Sequence, residues 1–531
     1  MTTIKPSESG ALETDGHLRR ALTALTNGAL TFAAVGVFGG LFSLYGFSMN
    51  AAGPGAFWGW PIIAISVGAM VLVFAELASK YPYAGSMYQW PTMLAGRKIG
   101  WWMGWVYAGA LIPLMTAYYA SLPVLVRPLF GLSDNFPTNR NIIIFAAIAA
   151  VLWNVLRIGI LGRVAQWAMV LELTVVIIVL LLVLILGGKH FGLLTTAATV
   201  ETTASGAAAV HTLSSFGAWL PLFLGAGIFN AVWVLYTFEN GGTLGEETVD
   251  GARNAPRGII GAYLFAVVCG FLFYLCLTPS IPDMGSAMVN YNPAEAAITE
   301  HLPDSVLKIF LAVVSIGLIV ATNTMFTGAV RHIYGMARDG QVPFSNVLRR
   351  TLKDGAPFAA TVLIGALSLI PVFVFTTKTA SIVGGATGAM YLAYFLVLVI
   401  TLVARLRGWP KERPVFSLGK WGVAVNVLAV IGVGLTFINV EWPRAATNPT
   451  YNQIAGTTNG NFFRDIPMGW VILAVPLIIG VVYYGIRRER IHAQPLTIDK
   501  YLMTERDSID GRLPTARNHF DDARSEDGAS H

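Results

Sequence analysis

Twelve runs of mostly apolar residues, each near the length that a helix needs to cross a bilayer, occupy most of this chain. They fall near residues 31–49, 57–79, 100–126, 141–160, 164–187, 219–238, 258–278, 306–334, 359–376, 381–403, 422–440 and 468–484. About 20 such residues span the hydrocarbon layer. The backbone there must satisfy its own hydrogen bonds, so an all-α bundle is expected. Composition agrees: 55% of residues are hydrophobic and 12% charged, against roughly 25% charged in soluble domains. The two cysteines, Cys269 and Cys276, share one apolar run and read as buried hydrophobes.

Several function classes are excluded or disfavoured. No Walker-type phosphate loop is present, which argues against an ATP-driven pump in this chain. No His/Cys spacing suggests a metal, and no cofactor motif appears. No cluster suggests covalent chemistry, so an enzyme is not expected. His190 and His211 fall in a long connecting segment without a metal pattern. The net charge of +6 reflects basic residues at span ends and does not call for nucleic acid. With the N-terminus inside, seventeen Lys and Arg fall in inner connections and seven in outer ones, which places both termini in the cytosol. Residues 1–20 read as a cytosolic tail, 21–486 as the membrane domain, and 487–531 as a polar, disordered cytosolic extension.

Two spans look interrupted. The first reads GVFGGLFSLYG, with Gly39 and Gly40 adjacent. The sixth reads LYTFENGGTLGEE, from Leu235 to Glu247, and carries Glu239. They are five spans apart, the spacing of an inverted five-helix repeat, and matched interruptions point to a transporter site. Glycine also serves close helix packing, and Glu239 alternatively sits at the inner end of a short helix. Glu172, within WAMVLELTVV, is a second intramembrane carboxylate. Such groups mark functional candidates, with a structural bridge as the alternative. Glu76 reads as an inner ion pair, Asn323 as a path-lining or interhelical amide, Arg338 and Asp339 as an inner clamp, and Trp101, Trp102 and Trp105 as an interfacial belt.

Four stretches resemble the amino acid–polyamine–organocation superfamily: AELASKYPYAGSMYQW (Ala75 to Trp90), EETVDGARNAPRGI (Glu246 to Ile259), RHIYGMARDGQVP (Arg331 to Pro343) and AAGPGAFWGW (Ala51 to Trp60). The last is similar to the amino acid/choline branch that includes GABA permeases. The likeness runs from about residue 20 to 485. It implies a LeuT-type fold: twelve transmembrane helices, two inverted five-helix repeats at about 30–187 and 219–403, and two peripheral helices at about 422–484. It also implies a substrate site between broken helices 1 and 6.

Residue by residue, Tyr236, Thr237, Phe238 and Glu239 occupy the helix 6 break, with Thr237 where many relatives have glycine. Phe38, Gly39, Gly40, Leu41, Phe42 and Ser43 form the helix 1 counterpart. Gly39, Gly40 and Ser43 are expected to face a substrate carboxylate, and carbonyls near Phe38 and Tyr236 its amine. Glu239 would add negative charge, Phe238 an aromatic gate, and Asn323 a polar wall. Some relatives carry a coupling lysine in helix 5, and Glu172 falls at that position. The implied activity is secondary active import or exchange of amino acids or small amines such as GABA, choline, ethanolamine or polyamines across the plasma membrane. Protons are the expected partner; Thr322, Thr324 and Thr327 leave sodium open. The rival class is a channel or transport-dead sensor on the same fold.

Overall fold

A computed structural model describes residues 22–154, 158–202, 208–289, 292–352, 356–374, 379–442, 468–493 and 496. The expected tail at 1–20 and most of that after 493 lie outside the described residues. The helices are α1 Ala24–Val35, α2 Val37–Ala52, α3 Gly59–Lys80, α4 Ser86–Ala95, α5 Arg97–Phe130, α6 Phe136–Asn154 and α7 Ile158–Gly187. A hairpin follows, β1 Ala198–Thr202 with antiparallel β2 Ala208–Thr212. Then come α8 Phe216–Leu222, α9 Phe229–Val234, α10 Asn240–Thr243, α11 Gly251–Leu277, α12 Met284–Val289, α13 Pro293–Thr299, α14 Asp304–Arg338, α15 Ser345–Leu348, α16 Phe358–Val374, α17 Thr379–Leu406, α18 Gly422–Glu441 and α19 Met468–Ala493.

Eleven helical stretches among the described residues are long and apolar enough to cross a membrane, and α16 is a shorter apolar helix. Together they occupy the twelve expected positions. The first span starts at Ala24, earlier than its apolar run, because Thr23 caps it by accepting from Thr26 N. The last continues to Ala493, past the expected boundary at 486. The architecture is all-α as expected, with one short hairpin added among the described residues. The hairpin lies in the connection between the fifth and sixth spans, where Val200 and Val210 pair across the strands.

The first span is broken, but at Gly36 and not at the Gly39–Gly40 pair. Gly36 has φ 59°, and its N–H closes the end of α1 on Ala33 O. That left-handed conformation suits glycine. Gly39 and Gly40 lie inside the first turn of α2, where the absent side chains admit neighbours. A Cβ on Gly39 would sit 3.0 Å from Leu318, and one on Gly40 2.8 Å from Val234. Trp101 also departs from the expected belt. It is fully buried, donates to Gln341 O and stacks with Trp105 against Tyr483 of α19. It therefore fastens the twelfth span to the third.

Candidate functional site

The sixth span is interrupted where its sequence loses apolar continuity. It runs through α8, a π-helical turn at Phe223–Gly227, and α9 to Val234, then unwinds over Leu235–Glu239 before α10. Thr237 takes φ 67°, a strained value for a β-branched residue. Its hydroxyl donates to Tyr236 O at 2.6 Å, and its N–H to Tyr394 Oη at 3.1 Å.

The two breaks lie side by side, and like halves are tied to like halves. Taking as inner the end of the bundle where α1 starts, on the outer side Asn230 Nδ2 donates to Leu41 O, Ser48 Oγ to Ala226 O, and Trp219 Nε1 to Ala52 O, at 3.2, 2.9 and 2.7 Å. On the inner side, Asn27 Nδ2 donates to Gly241 O at 3.0 Å and to Thr248 Oγ1 at 2.9 Å. Leu22 N donates to Glu247 O and Val249 N to Leu22 O. The unwound segments are thus seams between an outer pair and an inner pair of half-helices.

Four tyrosines hold these seams from the third and tenth spans. Tyr118 Oη donates to Ala34 O at 2.5 Å. Tyr391 Oη lies 3.2 Å from both the Val232 and Leu235 carbonyls. Tyr107 Oη donates to Glu239 Oε1 at 2.6 Å and Tyr394 Oη to Oε2 at 2.7 Å. Sequence reasoning did not single out these four. Their spacing was the available signal: Tyr107 and Tyr118 lie three turns apart on one helix, and Tyr391 and Tyr394 one turn apart on another.

Glu239 is therefore inside the bundle, fully buried, and not at the inner interface. Among the described residues no Lys, Arg or His forms an ion pair with it. Across the seam, α2 begins at Val37, and the N–H groups of Val37, Phe38 and Gly39 have no acceptor within their own helix. This end attracts an anion. Trp233, Val234 and Leu318 stand against Gly40 and Gly39, and the rings of Tyr118 and Tyr236 lie tilted against Trp233 with centroids 5.7 and 5.3 Å away.

The remaining sequence-selected residues have other surroundings. Phe38 and Phe42 are buried, and Phe42 packs on Phe310 of α14. Ser43 Oγ turns back to Gly40 O. Phe238 packs edge-on against Tyr263 of α11. Asn323 Nδ2 bonds Ile319 O of its own helix, leaving Oδ1 buried without a partner. The Glu172 carboxyl rests on Gly317 of α14 with Oε1 unpartnered. Gly317 precedes Leu318, the residue against Gly39, so Glu172 reaches the first break through one helix.

The inner side is closed by ion pairs. Arg331 Nε meets Glu247 Oε1 at 2.9 Å, Arg338 meets Glu246 at 3.6 Å, and Tyr88 Oη donates to Asp339 at 3.0 Å. Glu76 pairs with Arg405 and also accepts from Ser417 Oγ and Leu418 N. On the outer face, Arg127, Asp134, Asp283, Glu295 and Glu300 line a cleft of about 890 Å³. Burial pushes the Asp134 carboxyl up, but hydrogen bonds from Arg127 and Asn139 outweigh it and hold the group below its ordinary 3.8. Burial raises Glu295.

Comparison with known proteins agrees with this fold. The family described as amino acid permease matches residues 23–463. The amino-acid permease BAT1 homolog of Oryza sativa subsp. japonica is 25% identical over 497 residues, covering 86% of this chain and 92% of that protein. The branched-chain amino acid permease BcaP of Lactococcus lactis subsp. cremoris is 24% identical over 348 residues, covering 62% and 71%. A mutant manganese transporter of Eremococcus coleocola, solved by crystallography, superposes with a TM-score of 0.53 at 15% identity, covering 92% of this chain and 98% of that one. At that identity the likeness carries the fold, the LeuT-type arrangement, and nothing about the cargo.

Proposed function

The chain belongs to the amino acid permease family, and from that membership we propose that it is a secondary active carrier of amino acids or related small amines. It imports or exchanges them across the plasma membrane by alternating access, with protons as the coupling ion. The observation that carries this reading is the pairing of half-helices. Each half of the first span is bonded to the like half of the sixth, and the seams fall together. Such a construction lets each pair tilt as a body about a mid-membrane site.

A zwitterion suits that site. Its carboxylate meets the free N–H groups at the start of α2, and its ammonium meets seam carbonyls once Tyr391 or Tyr118 yields one. Glu239, held between two phenols, retains lone pairs for a cationic group. Trp233 and Tyr236 give apolar and aromatic wall. Glu172 is the coupling carboxyl in this reading, supported by its unpartnered oxygen and its seat on α14 beside the first break.

The test is uptake by purified protein in liposomes, with labelled amino acids, GABA, choline, ethanolamine and putrescine, with and without an inward proton gradient. Gradient-stimulated, saturable uptake of one compound is expected. Glu172→Gln is expected to abolish the stimulation and spare exchange. Unchanged gradient dependence in that variant sinks the coupling role. Uptake only into liposomes preloaded with a second compound would make the protein an exchanger.

A further inference from the structure

Glu441 closes α18 at the outer end of the eleventh span, outside the two five-helix repeats. Its side chain is buried, and both carboxyl oxygens lack a hydrogen-bond partner. The seat is built from two glycines on two other helices. A Cβ on Gly388 of α17 or on Gly469 of α19 would overlap the carboxyl. Trp470 Nε1 fixes the main chain at this point by donating to Glu441 O at 3.2 Å.

Among the described residues, nothing charged faces it. The charged groups of α17 and α19 are Arg405 and the run Arg487 to His492, at the opposite ends of those helices. On α3, Glu76 and Lys80 are likewise at the inner end, and Phe216–Val234 carries no charge. The nearest titratable group on α17 is Tyr391, one turn inward from Gly388. An isolated carboxylate without hydrogen bonds is costly in such a place, whereas the neutral acid is tolerated.

Two connections lead from this seat to the sixth span. Along α17, Gly388 is followed one turn later by Tyr391 and two turns later by Tyr394, which hold the Val232 and Leu235 carbonyls and Glu239. Along α18, Asn439 Nδ2 donates to Leu224 O at 2.6 Å, within the π-helical turn of the sixth span's outer half.

We propose that Glu441 is a proton-binding site, separate from Glu172 and from the helix breaks, whose loading governs how α17 and the outer half of the sixth span are seated. When protonated, the carboxyl keeps its seat on Gly388 and Gly469. When ionised, it leaves the glycine seat for water, and α17 and α18 lose their contact there. The site's bearing on transport rests on the carrier reading; its chemistry does not.

The primary test therefore needs no substrate. The protein in liposomes is studied by infrared difference spectroscopy between acid and alkaline pH, following the protonated-carboxyl band. Glu441→Gln is expected to remove one component of that band, and Glu172→Gln a different one. Gly388→Ala, whose methyl takes the place of the carboxyl, is expected to diminish the same component without touching Glu441. In parallel, hydrogen exchange across residues 229–240, corrected for the intrinsic effect of pH, is expected to depend on pH in the unmodified protein and to lose that dependence in Glu441→Gln. An unchanged band in Glu441→Gln, or pH-dependent exchange that survives the substitution, overturns the proposal. Loss of proton-stimulated uptake is a separate result and tests the carrier reading.

Discussion

Replacing Glu247 by leucine strands a charge inside the inner gate. Arg331 and Glu247 meet at 2.9 Å with side chains 9% and 2% exposed, so water cannot take over when one partner goes. Removing one member of such a pair costs about 3–5 kcal/mol, whereas replacing both by apolar residues of similar size is near neutral. Unfolding entropy of about 2.1 cal/mol/K per residue gives about 1 °C per kcal/mol for a cooperative unit of this size. Glu247→Leu and Arg331→Met should therefore each lower the midpoint by about 3–5 °C, and the double variant should recover most of the loss. Thermal unfolding in detergent, followed by tryptophan fluorescence, reads all four proteins. Additive losses, or single losses under about 1 °C, would refute the reasoning and show that the pair is solvated in the membrane protein. The Leu22 main-chain bonds to 247 and 249 survive these substitutions, so the cycle isolates the ion pair.

Three further outcomes follow from the geometry. Gly40→Ala drives a methyl to 2.8 Å from Val234 and should cost about 1–3 kcal/mol by overpacking; Gly217→Ala, with open space around it, is the neutral control in the same melt. Tyr394→Phe removes a donor from Glu239 and the acceptor of Thr237 N, a loss of about 1–3 kcal/mol that thermal unfolding should register, together with slowed uptake. Asp134 is held below its ordinary 3.8 in the fold, so its contribution is present above that value and is lost as pH falls through the lowered one; Asp134→Asn should flatten the acid limb of stability measured below about pH 4.

The sequence carried the twelve spans because a lipid environment leaves the backbone few options, and apolar length reports that directly. It carried the sixth break because Glu239 and the paired glycines Gly241 and Gly242 interrupt an apolar run. The first break was displaced by three residues for a physical reason. A double glycine looks weaker than a single one, yet Gly39 and Gly40 are helical and give room to Leu318 and Val234, while Gly36 alone adopts the left-handed turn. Thr237 could be flagged by likeness alone; its strain appears only with φ 67°.

The seam tyrosines were hidden because a tyrosine in an apolar run reads equally well as core or as interface. Its partner, a carbonyl or the Glu239 carboxylate two to four spans away, is not visible along the chain. Trp101 misled for the same reason, since its partner lies in α19. Ser43 and Phe238 lie near the breaks, but Ser43 Oγ turns back to Gly40 O and Phe238 packs on Tyr263, a matter of rotation that glycine placement does not fix. Glu441 drew no attention because it ends a span, and depth depends on how α17 and α19 close over it.

Counterflow tests the central claim most directly. Liposomes holding the purified protein are loaded with an unlabelled amino acid and diluted into a trace of the same compound, labelled, with no ion gradient. A carrier whose paired half-helices expose one site alternately must accumulate label transiently above equilibrium. That overshoot is the predicted result. Label that only equilibrates, at a rate proportional to concentration, would indicate an open path and contradict the account; a complete lack of flux across the amino acid and amine panel would contradict it as well.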